Sequence, residues 1–230
     1  GQASQVRTYW VSPIIAAHIT PSLIATISQR SDIVQIRPDE RFQLEAQVFT
    51  PQEPLTTDSP VQWNLEMVQA PLAWQALGLD GTGVVVANMD TGVDWQHPAL
   101  IEQYRGYNPD GPSSHVGNWF VATNEPYIYP GDGYGHGTHT MGTMVGDDGV
   151  DNRTGVAPGA RWIAAKIFDN TGYTYESWIH SGFEWVMAPA TPYERSGDVS
   201  DVVFSCGWTL SGDEIRVYYG AADTSVCLAI

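Results

Sequence analysis

Residues Val84-Val85-Val86-Ala87-Asn88-Met89 form a nearly unbroken apolar, β-rich run, bounded by Gly83 on one side. A strand with no polar alternation is covered on both faces, as strands of parallel sheets are. The run therefore predicts an α/β fold built on a doubly wound parallel sheet. It ends in Asp90-Thr91-Gly92-Val93-Asp94, which puts Asp90 at the carboxyl end of the strand. Open α/β sheets place their chemistry at that end. A second segment, Gly135 to Val145, sets a histidine at the start of a helical pattern in which Met141, Met144 and Val145 recur on one face. Gly131, Gly133 and Gly135 give the chain a freely turning approach to it. At the N-terminal end of a buried helix the dipole disfavours imidazolium, and neutral imidazole is what a general base needs. Asp90 and His136 thus supply two members of a nucleophile–base–orienter constellation.

These residues carry a family resemblance. Val86-Ala87-Asn88-Met89-Asp90-Thr91-Gly92-Val93-Asp94-Trp95-Gln96-His97-Pro98 resembles the aspartate motif of the subtilisin-like serine proteases. Gly135-His136-Gly137-Thr138-His139 with Gly142-Thr143 resembles their histidine motif, and Gly155-Val156-Ala157-Pro158 their next landmark. All three stand in the family's order. The resemblance covers most of residues 62–205 and, more loosely, residues 1–44. It implies a serine endopeptidase acting on protein or peptide substrates, with His136 as base and Asp90 as its orienter. It also implies that Gly172 and Tyr173 lie in the edge segment that pairs with substrate backbone. Ser205 and Gly207 resemble the Ser-x-Gly of the primary specificity pocket, with one residue fewer than the family pattern.

Composition excludes several other classes. The net charge of −16 arises mainly from a shortage of bases, and Lys166 is the only lysine. A nucleic-acid partner needs a basic face, so none is expected; the acidity reads as an extracellular type of surface. No run reaches the length of a membrane span. No basic-then-apolar leader precedes Gly1, so an upstream signal segment of a secreted protein is expected to be missing from the sequence. Cys206 and Cys227 are too few for a disulfide framework and read as buried free thiols.

Taken in order, residues 1–44 read as a small α/β unit: a β-rich Val6–Thr20, a helix opened by Pro21, and a strand over Asp32–Pro38. This resembles the C-terminal part of the family's inhibitory propeptide. Residues 45–61 have linker composition and resemble the processing region, and residues 62–230 resemble the N-terminal portion of the family's catalytic domain. Pro71 starts a short helix that Gly78 closes. The aromatic, Gly/Pro-rich excursion from Asn108 to Gly135 is an enlarged loop, either contacting substrate or decorative. Asp94 and His97 brace the aspartate loop, and His139 is a packed second histidine.

Gly146 to Asn152 is rich in oxygen ligands of the kind calcium takes, and subtilisins bind calcium near this region. Ala99, however, stands where the calcium-binding members carry an aspartate, so the loop reads as a solvated turn. No cofactor is required for the chemistry and no metal ligand is assigned. Arg161–Phe168 and Asp201–Gly207 are expected as the second and third parallel strands. Ser211 and Glu214 suggest a capping box for a following helix, and Thr224–Ile230 another buried strand.

The family's Gly-Thr-Ser-Met-Ala nucleophile motif and oxyanion asparagine do not occur in the sequence. Ser225, in Asp223-Thr224-Ser225-Val226, lacks the preceding glycine and sits in a strand pattern. The reading is a subtilisin-like endopeptidase whose sequence stops before the catalytic serine, so that residues 1–230 alone are inactive. Two alternatives stay open: an inactive fragment acting through binding, and a metal-binding protein using His136 and His139.

Overall fold

The computed structural model describes residues 2–44, 61–150 and 153–187, together with the backbone of 203–211, 214–221 and 225–229. The chain divides into two compact units, Gly1–Gly182 and Phe183–Ile230.

The first unit opens with β1 (Ala3–Thr8) and β2 (Ile15–Ile19), an antiparallel pair. Helix α1 (Pro21–Ile27) follows, with proline in its first turn and Thr20 as N-cap. The Thr20 hydroxyl accepts the Leu23 N–H at 3.4 Å, satisfying one of the donors a helix start leaves unpaired. The strand expected over Asp32–Pro38 is not formed. That segment has no sheet partner, and its Val34 is fully exposed. Pairing begins only past Pro38, at β3 (Arg41–Gln43). The intervening residues are fastened by ends rather than by a ladder: Arg37 ion-pairs with Glu176, and Asp39 Oδ1 accepts the Ser177 N–H at 3.0 Å.

Helices α2 (Trp63–Met67) and α3 (Ala70–Leu77) come next. Pro71 lies in the first turn of α3, and Gly78 ends it in the left-handed region at φ 67°. Strands β4 (Val85–Asp90), β5 (Trp119–Val121) and β6 (Arg161–Lys166) then build a parallel sheet of order β4-β6-β5. Val85 pairs with Arg161 at one end and Asp90 with Lys166 at the other. Central β6 is buried from Trp162 to Lys166, as a strand covered on both faces must be. Helix α4 (His136–Val145) buries Gly137, Met141 and Val145. Met141 and Val145 join Val93, Tyr104 and Trp162 in the main core. Strand β7 (Tyr173–Tyr175) and helix α5 (Glu176–Val186) follow β6.

The third parallel strand is therefore β5, from the excursion, and not Asp201–Gly207. Residues 203–211 instead form β8 (Val203–Ser211), which pairs antiparallel with β9 (Glu214–Ala221); β10 (Ser225–Ala229) completes that sheet in the order β10-β9-β8. Ser211 and Glu214 cap no helix; they face each other where the hairpin closes. Two β-rich runs separated by only Gly212-Asp213 are a hairpin signal, which outweighs the local capping pattern. Among the described residues no helix is long and apolar enough to cross a membrane.

Candidate active site

Strand β4 ends at Asp90, and α4 begins at His136. Their side chains meet: His136 Nδ1 lies 2.7 Å from Asp90 Oδ1 and 2.9 Å from Oδ2. The carboxylate is further fixed by the Thr91 N–H on Oδ1 at 2.7 Å and by the Thr140 hydroxyl on Oδ2 at 3.1 Å. Asp90 is 8% exposed, whereas the imidazole keeps 31% of its side-chain surface open. With Nδ1 on the carboxylate, Nε2 is the nitrogen left for an incoming proton donor.

The first turn of α4 comes this close because two glycines allow it. A Cβ on Gly137 would stand 2.0 Å from the Gly92 carbonyl oxygen and 3.1 Å from Asp90 Cβ. Gly92 itself has φ 111°, and a Cβ there would meet the Gly131 carbonyl at 2.0 Å. Polar contacts complete the joint. Asn88 Nδ2 donates to the Gly137 carbonyl at 3.0 Å, and the Gly137 N–H donates to Thr91 Oγ1 at 2.8 Å. Asp94 and His97 brace the loop as expected. Asp94 Oδ1 accepts the Gln96 N–H at 3.1 Å, and His97 Nδ1 accepts the Ala99 N–H at 3.2 Å. His139, expected to be buried by packing, is instead exposed on α4.

Two charged residues beside the pair were not singled out from the sequence. Asp132 accepts hydrogen bonds from Thr91, Tyr134, Gly135 and Thr138. Burial pushes its carboxyl up, but the donors from Gly135, Thr138 and Thr91 outweigh burial and hold it below the ordinary carboxylate value. Lys166, fully buried, donates from Nζ to the Thr91 carbonyl at 2.6 Å and to Asn170 Oδ1 at 3.0 Å. It also pairs with Glu125 at 3.2 Å. Glu125 belongs to the excursion and accepts the Asn170 N–H at 3.0 Å. The excursion is thus tied into the site rather than decorating it.

Gly172, at φ 78°, precedes β7, and Tyr173 is its first residue. The edge they form is paired with the chain's own β3 in the register Arg41↔Tyr175, Phe42↔Thr174 and Gln43↔Tyr173. The Leu44 N–H continues the ladder to the Gly172 carbonyl at 2.9 Å, and the Arg41 guanidinium sits 3.6 Å from the centre of the Tyr173 ring. Ser205 and Gly207 lie in β8 of the second unit, on either side of a register irregularity; their side chains are outside the described residues.

The oxygen-rich loop after α4 has other uses for its carboxylates. Asp147 Oδ2 takes Arg153 Nε at 2.9 Å, and Oδ1 takes the Gly149 N–H at 2.8 Å. Asp148 Oδ1 accepts the Val150 N–H at 3.0 Å. A guanidinium already supplies positive charge where calcium would, and Ala99 offers only its carbonyl, which accepts the Asp147 N–H. Among the described residues of the loop, both carboxylates are thus already engaged by the protein's own donors. Among the described residues no three His, Cys, Asp or Glu side chains are grouped to hold a metal.

Comparison of the sequence with known proteins identifies the family. Residues 81–213 match the model of the subtilase family, Peptidase S8. The chain belongs to the subtilase family. It is 43% identical over 198 residues to bacillopeptidase F of Bacillus subtilis (strain 168), covering 82% of this chain and 14% of that one. It is 37% identical over 128 residues to subtilisin E of the same strain, covering 56% of this chain and 30% of that protein. To M-protease of Shouchella clausii (strain KSM-K16) it is 30% identical over 174 residues, 75% of this chain and 38% of the relative. The chain therefore spans well under half the length of these subtilases.

Proposed function

We propose that this chain supplies the aspartate and histidine of the Asp–His–Ser triad of a serine endopeptidase acting on protein or peptide substrates. The observation that carries the reading is the 2.7 Å contact between His136 Nδ1 and Asp90, with the ring otherwise partly open. In this reading a serine hydroxyl from the rest of the enzyme attacks the peptide carbonyl while His136 Nε2 takes its proton. The proton then passes to the leaving amine. Asp90 holds the tautomer with hydrogen on Nδ1 and stabilises the imidazolium that forms. An extracellular location suits the lysine-poor, acidic composition.

Residues 1–44 act in this reading as the inhibitory propeptide. Strand β3 occupies the β7 edge that substrate backbone would use, adding a strand as extended peptides do on open sheet edges. It runs antiparallel, from Tyr175 towards Gly172, and a Cβ on Gly172 would stand 2.8 Å from the Tyr134 ring, two residues before His136. The ladder thus ends with Leu44 beside Gly172, and cleavage beyond it would release the edge. Full-length precursor treated with a fluorophosphonate probe should label only after a cut beyond Leu44. Residues 1–230 alone should not label. Labelling that maps to Ser225 or Ser205 would overturn the assignment of the nucleophile to another part of the protein.

The 146–155 loop is, in the same reading, held without calcium. Its amide protons should exchange equally slowly in a chelator and in calcium, and Arg153→Met should speed exchange in both. Protection that depends on calcium in the native protein would contradict this.

A further inference from the structure

Asp132 stands four residues before His136 and touches neither His136 nor Asp90 through any of its five hydrogen bonds. Oδ1 accepts from the Gly135 N–H at 2.8 Å, the Thr91 hydroxyl at 2.9 Å and the Tyr134 N–H at 3.1 Å. Oδ2 accepts from the Thr138 hydroxyl at 2.7 Å and the Thr138 N–H at 2.8 Å. Thr91 extends the reach of this carboxylate. Its hydroxyl donates to Asp132 and at the same time accepts the Gly137 N–H at 2.8 Å. Its own N–H donates to Asp90 Oδ1 at 2.7 Å. The residues on both sides of His136 are therefore tied down, Gly135 directly to Asp132 and Gly137 through Thr91. The same threonine holds the carboxylate that His136 must meet.

We propose that Asp132 is a positioning residue for the triad: with Thr91 it fixes the backbone on either side of His136 and so keeps the imidazole at bonding distance from Asp90. An anion is suited to the task because the donors it gathers include the unpaired N–H groups at the start of α4. Asparagine has the shape but replaces one acceptor by a donor, so at least one of the Thr138, Gly135, Tyr134 and Thr91 donors loses its partner. Catalysis is sensitive to such a change, since a displacement of about 1 Å at the reacting groups costs about 10²-fold in rate.

The proposal rests on the triad reading above, and the test separates the two. In the full-length processed enzyme, active sites are counted by burst titration, and kcat and KM are measured on a peptide anilide. Asp132→Asn and Thr91→Val should lower kcat per titrated site by about 10- to 100-fold with KM nearly unchanged. Thr91→Ser, which keeps the hydroxyl, should restore it. A residue that serves only folding would reduce the number of titratable sites and leave kcat per site alone. That result, or normal kcat per site in both variants, overturns the proposal; so does loss of all titratable sites in both. If Asp132→Asn alone yields no enzyme, Thr91→Val decides. His136→Ala serves as the separate control, because activity surviving there would refute the triad assignment itself.

Discussion

In the complete enzyme, His136→Ala should lower kcat by about 10⁶-fold and Asp90→Asn by about 10⁴-fold, the span expected when members of such a triad are removed singly. The inequality follows from the geometry. Alanine removes the group assigned to take the serine proton. Asparagine leaves the imidazole in place but reverses its hydrogen bonding. The oxygen of the new side-chain amide would keep the Thr91 N–H, which now bonds Asp90 at 2.7 Å, and the amide nitrogen would turn towards His136 Nδ1. Nδ1 would then accept a hydrogen bond, and the proton would move to Nε2, the position that must be bare to act as a base. Kinetics on a peptide anilide, with folding checked by thermal melting, measure both losses. A folded His136→Ala enzyme retaining most of its activity would remove His136 from the mechanism.

The parts of this site carried by long local patterns were legible in the sequence. Strand β4 shows itself by a nearly unbroken apolar run, although Val85 and Ala87 are exposed and the burial on both faces expected of it belongs to central β6 instead; α4 shows itself by helical spacing after glycines, and α3 by Pro71 and Gly78 at its ends. Asp90 and His136 stand out in the sequence because each sits at the end of such an element. What depends on distant partners was not legible. Trp119–Val121 is too short to show a period, and only its pairing with β6 makes it a strand. Ile33, Val34 and Ile36 have strand chemistry, but no edge is there to receive them, and the ladder forms instead at Arg41–Gln43. Lys166 ends a buried strand and looks out of place until Glu125 and the Thr91 carbonyl reach it from other segments. Asp132 is one acid among glycines, in the manner of any polar turn. The available signal was its spacing from His136, which puts a carboxylate just ahead of a helix start. The β8–β9 hairpin was misread because Ser211-Gly212-Asp213-Glu214 satisfies both a capping box and a hairpin turn. The long β-rich runs on either side decide between them.

Gly137→Ala should be strongly damaging, while Gly142→Ala, in the same helix, should do no harm. On intrinsic propensity both changes favour the helix, by about 1 kcal/mol each. At Gly142 a new Cβ finds its nearest neighbour, the Thr154 hydroxyl, at 3.9 Å, which is ordinary contact, so that gain can be realised. At Gly137 it stands 2.0 Å from the Gly92 carbonyl oxygen. Backbone, not a rotatable side chain, blocks it. Gly92 has no room to retreat, since its own Cα is packed on the Gly131 carbonyl with the same 2.0 Å clearance for a Cβ. The helix must therefore lift from the aspartate loop, against the Asn88 to Gly137 and Gly137 to Thr91 hydrogen bonds. Overpacking of this kind costs about 3 kcal/mol, and losing buried hydrogen bonds adds about 1 kcal/mol each. For a domain of this size that amounts to a fall in melting temperature of about 10 °C. Whatever protein still folds will hold His136 away from Asp90, so activity per folded molecule should fall as well. Thermal melts of the two glycine variants in the full-length precursor measure the contrast. A Gly137→Ala protein that melts with the wild type would mean that α4 does not rest on the Asp90 loop as closely as 2.0 Å implies.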